Sequence, residues 1–419
     1  MTARDVDREM PRRHGVLSSP DLPRRIAVTL GALVVYRLAT LIPLPGINMA
    51  AWRQLAGDAA GGLLGQANAL SGGAVGRLAI VALGVLPFIT AAVLLQLVAV
   101  FSRRLSGLSR AGIRGRGLVD RMTRVITIVL AALQAYGIAA ALEGVSGLVS
   151  APGAFFRAST VLTLVAGTML AVWLADQITL RGIGNGLALI LFTNIVVEVP
   201  SVIVGTLALS QEGIFPARHI AVVAAIAIAF VVFVVVMERA ELTIAVRYCK
   251  PGAGAAPALP SRLKVRLNPA GIIPVVLATW VMVIVVALLG FVDEPDWLLP
   301  ILAQLAYGRA AYWALYALLI VVFVLFYTAF LLDPLRTAQD IDKRGGSLVG
   351  ATSVEGAAQQ LDHAVSRVAL MGALYLAIVC VVPEALIGFT EMPFYVGGIS
   401  LLVVVCTVID VVDQVRASR

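Results

Sequence analysis

The side chains that most often do chemistry are few in this chain and stand apart. His14, His219 and His363 are widely separated, and Cys249, Cys380 and Cys406 show neither a Cys-x-x-Cys nor a Cys/His spacing. A disulfide framework and a zinc site are therefore not expected. The chain holds no His-Glu-x-x-His run, no phosphate-binding loop and no carboxylate pair of catalytic spacing. One local match is Gly144-Val145-Ser146-Gly147, the Gly-x-Ser-Gly form seen around the serine of rhomboid intramembrane proteases. Such a serine needs a histidine base within hydrogen-bond reach. None lies nearby in sequence, and the Gly and Ser neighbours suit a turn. The expectation is a chain with no catalytic residue, no metal and no cofactor.

What surrounds these residues is apolar. Hydrophobic residues make up 60% of the chain and charged ones 13%, with a mean hydropathy of +0.96. A soluble domain of 419 residues has too little interior to hide that much apolar surface. A helix crosses the hydrocarbon layer with about 20 apolar residues, and ten stretches qualify: 26–42, 78–100, 125–141, 159–174, 184–204, 220–237, 270–291, 311–332, 368–382 and 396–412. The fold class is an all-α integral membrane protein of about ten transmembrane helices. The basic tail 1–25 has no apolar core and no small-residue cleavage site, so no removable signal peptide is expected and the first span is itself the targeting signal.

The charges orient the spans. With the N-terminus in the cytoplasm, 26 of the 32 Lys and Arg residues fall in the tail, the even-numbered loops and the C-terminus. Arginines and lysines concentrate on the cytoplasmic side of membrane proteins, so both termini face the cytoplasm. These charges set topology, bind anionic lipid, or dock a partner. Span 2 contains Gly84-Val85-Leu86-Pro87 and span 7 contains Gly271-Ile272-Ile273-Pro274. Five spans apart, these Gly-x-x-Pro breaks belong to two five-helix halves of opposite orientation, and paired interruptions point to a pathway between inverted repeats. A secondary transporter or flippase remains an alternative. Such proteins carry charged groups near mid-membrane, whereas Arg37 lies toward the outer end of span 1 and Asp410 toward the cytoplasmic end of span 10. An aliphatic pathway suits an apolar substrate or one not recognised by charge.

Seven motifs in order resemble the SecY family of protein-export channel subunits, over residues 25 to about 415. They begin with Tyr36-Arg37-Leu38 and Ile42-Pro43-Leu44-Pro45-Gly46-Ile47, then Leu83-Gly84-Val85-Leu86-Pro87-Phe88-Ile89-Thr90. The most specific is Gln177-Ile178-Thr179-Leu180-Arg181-Gly182-Ile183-Gly184-Asn185-Gly186. Met237-Glu238-Arg239-Ala240, Leu267-Asn268-Pro269-Ala270-Gly271-Ile272-Ile273-Pro274, Phe326-Tyr327-Thr328-Ala329 and the run from Pro393 to Leu402 follow.

The resemblance implies an hourglass channel of two inverted halves, 26–205 and 206–419, with cytoplasmic loops at 238–268 and 333–367. Unfolded preproteins would cross through its centre or leave sideways into lipid, driven by the SecA motor or a ribosome, with small subunits SecE and SecG around it. It implies a pore ring of Val85, Ile89, Leu191, Val276, Val281 and Val403, where aliphatic side chains gate by dewetting. Four of the six are valine, where the family more often has isoleucine, so a looser seal is expected. It implies a plug at 61–73, rich in Gly, Ala and Ser, and a lateral gate between spans 2 and 7 lined by Thr90, Gln134 and Thr279. Motor or ribosome docking falls on Arg247, Lys250, Lys343 and Arg344. The chain departs from the family in those loops. Tyr248-Cys249-Lys250 runs into a Gly/Ala/Pro stretch, and Thr352 stands where the family has an arginine. Threonine supplies neither the fixed charge nor the fork of donors of a guanidinium, so weakened motor coupling is expected, as in a divergent or accessory translocon.

Overall fold

The computed structural model describes residues 22–52, 71, 73–101, 112–211, 217–248, 259–269, 271–289, 304, 309–331, 333–343, 346–351, 353–390 and 397–417. Each of the ten expected apolar stretches contains a helix: α1 (Leu22–Ala39), α2 (Leu86–Phe101), α3 (Gly112–Glu143), α4 (Ala154–Arg181), α5 (Gly186–Gln211), α6 (Ala217–Arg239), α7 (Ile273–Leu289), α8 (Ala310–Leu331), and, after the short helix α9 (Pro334–Lys343), α10 (Val354–Thr390) and α11 (Gly398–Ala417). Among the described residues, the helices α3, α4, α5, α8, α10 and α11 are long and apolar enough to cross a membrane. The chain is a multi-pass membrane protein.

Two helices outrun their expected spans. At 1.5 Å per residue α3 reaches roughly 48 Å and α10 roughly 55 Å, against a hydrocarbon layer of about 30 Å. The surplus of α3 carries Arg121 and Arg124, and Arg124 pairs with Asp176 of α4 at 3.0 Å. Span 2 differs in the other direction. The expected helix from residue 78 begins only at Leu86, because residues 78–85 form turns with Leu78 and Gly84 at positive φ. Those turns are bonded to the proline-rich segment after α1: Leu44 N donates to Leu78 O at 2.8 Å and Ile80 N to Ile42 O at 2.9 Å. The polar backbone is thereby satisfied without helix, which is the condition for irregular chain at membrane depth.

The chain forms two compact units. One comprises Leu17–Ala224 and Thr390–Arg419. In it α3 packs against α2 and α4, α1 against α4, and the last helix, α11, against α5. Its core has two clusters. The first centres on Tyr36, Val81, Val85, Ala171, Ile178 and Ile190, the second on Leu44, Leu78, Ala135, Leu148, Phe156 and Leu164.

The other unit contains Ala225–Phe389. There α7 packs against α8, and a small antiparallel sheet in the order β2-β1-β3 joins the two long loops. Strands β1 (Glu241–Tyr248) and β2 (Leu259–Arg266) form a hairpin, and β3 (Gly346–Leu348) pairs with the end of β1. The apolar stripe of α9 supplies Ala338 and Ile341, which bury against Val246, Leu348, Ala357 and Leu361.

Candidate functional site

The paired Gly-x-x-Pro elements start helices rather than interrupt them. Gly84 has φ +53° and Gly271 φ +64°. In each case the helix opens two residues later, with Pro87 or Pro274 as its second residue. Glycine takes the left-handed conformation without a Cβ penalty, and proline in a first turn loses only an N–H that has no helical partner. The same device thus sets where α2 and α7 begin, in one unit and in the other.

Of the expected ring residues, Val85, Ile89 and Leu191 meet in the first core cluster of their unit. Val85 is buried there beside Tyr36, and Ile89 and Leu191 pack against the cluster half-buried. Val403 is buried in α11 of the same unit. Val276 and Val281 are half-buried on α7 in the other. The expected gate residues have local partners. Thr90 Oγ1 donates to Leu86 O at 2.9 Å within α2. Thr279 Oγ1 bonds to Val275 O at 3.0 Å within α7 and lies 3.1 Å from Tyr316 Oη of α8. Gln134 is half-buried on α3. The plug stretch 61–73 lies outside the described residues except for Ser71 and Gly73.

The most specific motif is a staple at one end of the first unit. Asn185 caps α5, its Oδ1 accepting from Leu187 N at 3.0 Å. Around it three backbone donors find side chains: Ile183 N donates to Thr29 Oγ1 of α1 at 3.0 Å, Gly184 N to Gln414 Oε1 of α11 at 2.9 Å, and Gly186 N to Thr179 Oγ1 of α4 at 2.9 Å. One turn thereby fastens four helices. Its glycines are required by space, since a Cβ on Gly186 would collide with the Ala175 carbonyl. Backbone does not yield as a side chain does. Gly186→Ala is therefore expected to cost about 1–3 kcal/mol or more, seen as a melting temperature several degrees lower for the purified chain. An unchanged melting temperature would count against this packing.

In the second unit the Met237-Glu238-Arg239-Ala240 and Leu267-Asn268-Pro269 motifs form one junction. Glu238 Oε1 accepts from Asn268 Nδ2 at 3.0 Å and from Tyr375 Oη of α10 at 3.2 Å, and Leu267 N donates to Ala240 O at 3.0 Å. The hairpin thus leaves and re-enters the helical layer at one fixed point. Its register puts Glu241 opposite Arg266, Thr243 opposite Lys264, Ala245 opposite Arg262 and Arg247 opposite Pro260. Alternate residues of a strand share a face. Arg247, Arg262, Lys264 and Arg266 therefore belong to one face, with Glu241 its single acid, while Leu242, Ile244, Val246, Leu263 and Val265 belong to the other. Ser347 of β3, paired with Arg247, extends the basic face. Lys343 ends α9 and lies 3.9 Å from Asp340. Lys250, Arg344 and Thr352 lie outside the described residues.

Among the described residues no catalytic centre is assembled. Ser146 is an exposed residue of a turn closed by Leu148 N to Val145 O at 3.3 Å. No cluster of three metal-ligating side chains occurs among the described residues.

Comparison with known proteins decides the family. Residues 79–412 match the SecY family, and the chain is 36% identical over 404 residues to the protein translocase subunit SecY of Escherichia coli, covering 94% of this chain and 91% of that one. The chain belongs to the SecY family. Its fold agrees with solved SecY and Sec61 structures. One, described as showing that the plug domain of SecY stabilises the closed state of the translocation channel and maintains a membrane seal, superposes with a TM-score of 0.63 at 16% identity, covering 96% of this chain and 92% of that one. Sec61 in the canine ribosome-channel complex from the endoplasmic reticulum superposes with a TM-score of 0.62 over the same shares. This SecY-family chain is therefore an all-α membrane protein with the fold of the solved SecY and Sec61 channels, and its family is one of protein translocase subunits and not of enzymes.

Two groups escaped the sequence reading. Arg262, Lys264 and Arg266 follow the Gly/Ala/Pro stretch after Lys250, and their signal is the strict alternation in Arg-Leu-Lys-Val-Arg. Glu198 lies inside span 5 and was passed over, although it stands one helical turn after Asn194.

Proposed function

We propose that this SecY-family chain forms a protein-conducting channel in the cytoplasmic (inner) membrane, through which unfolded preproteins cross or membrane proteins enter the bilayer. Both termini face the cytoplasm, and the energy comes from a SecA motor or a translating ribosome. The observation that carries this reading is the 36% identity to a translocase subunit along nearly the whole chain. The halves 26–205 and 206–419 enclose the pathway, whose ring is Val85, Ile89, Leu191, Val276, Val281 and Val403. Residues 61–73 cap it from outside, and small SecE and SecG subunits surround it. What supports the ring is that Val85, Ile89 and Leu191, from two different helical regions, converge on one apolar cluster. Branched apolar chains exclude ions by dewetting yet part around a peptide of any sequence.

Polypeptide leaves sideways between α2 and α7. The hydroxyl donors of Thr90 and Thr279 are engaged inside their own units, so their cross-seam bonds add little to the closed state. A membrane interhelical hydrogen bond averages only about 0.6 kcal/mol in any case. Docking falls on the cytoplasmic loops 238–268 and 333–367. The basic alternation of β2 supports a docking face there, made by Arg247, Arg262, Lys264 and Arg266 with help from Lys250, Lys343 and Arg344.

Complementation tests the function and the coupling together. In a host depleted of its own SecY, the chain is expected to insert stably and to restore export only in part, and Thr352→Arg to improve the rescue. Stable insertion with no polypeptide transport in either form, even with a co-expressed cognate motor, would overturn the channel reading. Full rescue by the unmodified chain would refute weakened coupling alone.

A further inference from the structure

Helix α5 carries a polar face at the outer end of the first unit. Asn194 and Glu198 are four residues apart, so they stand one above the other on the helix surface. Asn194 is buried, and its Nδ2 donates to Tyr36 Oη at 3.0 Å. The next residue of α1, Arg37, interacts electrostatically with Glu198 and with Arg77. The two faces are thus in register, Asn194 on Tyr36 and Glu198 on Arg37.

A third element meets the same carboxylate. A Cβ added to Gly73 would stand 2.5 Å from Glu198 Oε1 and 2.9 Å from Arg77 Nη2. The backbone at Gly73, with φ +78°, therefore runs directly against a carboxylate oxygen and a guanidinium nitrogen. Arg77 N donates to Gly73 O at 3.1 Å, which closes the turn on itself. Arg77 Nη1 is buried and has no hydrogen-bond partner among the described residues. Two guanidinium groups held close and partly withdrawn from water repel each other unless an anion accompanies them. Glu198 is that anion, and it is the one charged residue of α5.

The position of this cluster gives it a consequence. Residues 73–85 lead straight into α2, and Val85 and Ile89 follow within the same core cluster that holds Tyr36. The turn at 73–77 is tied to the chain that opens α2, since Ala79 N donates to Ala74 O at 2.8 Å and Ile80 N to Ile42 O at 2.9 Å.

We propose that Glu198 is a positioning residue of the channel: it latches the turn at Gly73–Arg77 to α1 and α5, and so sets how tightly the resting channel is sealed. The latch rests on the channel reading, and of the plug stretch 61–73 it involves only Gly73. Its strength comes from charge and not from shape, so exchanging the charges preserves it. With Arg77→Glu and Glu198→Arg, the new glutamate faces both Arg37 and the new arginine, and the net charge of the cluster is unchanged.

The test uses the full chain purified from membranes as its complex and placed in a planar bilayer. Glu198→Gln is expected to raise resting ion conductance at least threefold, and the double exchange to return it to within twofold of wild type. Where Glu198→Gln fails to insert, the exchange variant alone decides: stable insertion with a wild-type seal supports the latch, and loss of either overturns it. Wild-type conductance in a folded Glu198→Gln channel would also overturn it, as would a leak that the exchange does not lower. These outcomes leave the channel reading intact. A wild-type complex that conducts no ions even when a preprotein engages it would instead remove the channel reading, and the latch with it.

Discussion

Replacing Arg262, Lys264 and Arg266 together with glutamate is expected to weaken binding of the full-length chain to SecA or to ribosomes about 100-fold, with the fold of the membrane region unchanged. One face of the hairpin presents four cations, Arg247 included, against the single carboxylate of Glu241. The triple substitution inverts that balance to one cation against four carboxylates. Placing like charges against an acidic or RNA surface costs several kcal/mol, and a hundredfold loss needs only about 2.8 kcal/mol. The substitutions are tolerable structurally because β2 is an edge strand, bonded on one side only. The apolar face that packs toward α9 is untouched, since Ile244, Val246 and Leu263 lie at the other parity. The measurement is affinity for purified motor or ribosomes, with the chain in lipid nanodiscs, at two salt concentrations. Changing the same three residues to glutamine is expected to fall between wild type and the glutamate variant, with a flatter salt dependence. Equal affinity for all three proteins would move docking away from the sheet and back to Lys250, Lys343 and Arg344.

The residues explain what could be foreseen. Ten helices were legible because each lies in an apolar stretch of the sequence, a signal that needs no tertiary knowledge, and six of them are long enough among the described residues to cross the bilayer. The positions where α2 and α7 start were legible only in part. Gly84 and Gly271 announced an irregularity, but whether it breaks a helix or opens one depends on where residues 78–80 find hydrogen bonds, and they find them on Ile42 and Leu44. The hairpin was missed for a similar reason. Arg262, Lys264 and Arg266 look like scattered loop charges until the period of two is tied to a partner strand, and the register comes from pairing with Glu241–Tyr248. Glu198 was hidden by averaging, since one carboxyl in a 26-residue apolar helix does not lower its hydropathy enough to be noticed. Thr279 shows a different limit: the resemblance gave it a place at the gate, but its contact with Tyr316, 37 positions away, depends on how α7 packs on α8 and has no signature in the local sequence.

Joining α2 to α7 by a disulfide is expected to stop export completely, and reduction to restore it. The pathway proposed for polypeptide opens sideways only if these two helices part, so one covalent bond between them suffices, whatever the channel's other contacts contribute. Noncovalent forces at the proposed seam are weak by comparison. Thr90 and Thr279 bond within their own units, and valines or isoleucines against lipid gain little from meeting one another. A closed gate of that kind opens readily for a signal sequence, whereas a disulfide does not yield without a reductant. Pairs of cysteines at and around positions 90 and 279 sample the geometry, because a disulfide forms only when the two Cα atoms come within about 7 Å. The native thiols must first be removed. Cys380 is fully buried and Cys406 half-buried, so alanine is the fitting replacement at both, as it keeps a small apolar side chain. Cys249, outside the described residues, takes serine. Export is then measured in vesicles, with and without reductant, and normalised to the fraction of chain that is crosslinked. Full-rate export through the crosslinked chain would place the exit elsewhere. A block in the single-cysteine controls would show that the substitutions, and not the bond, were responsible.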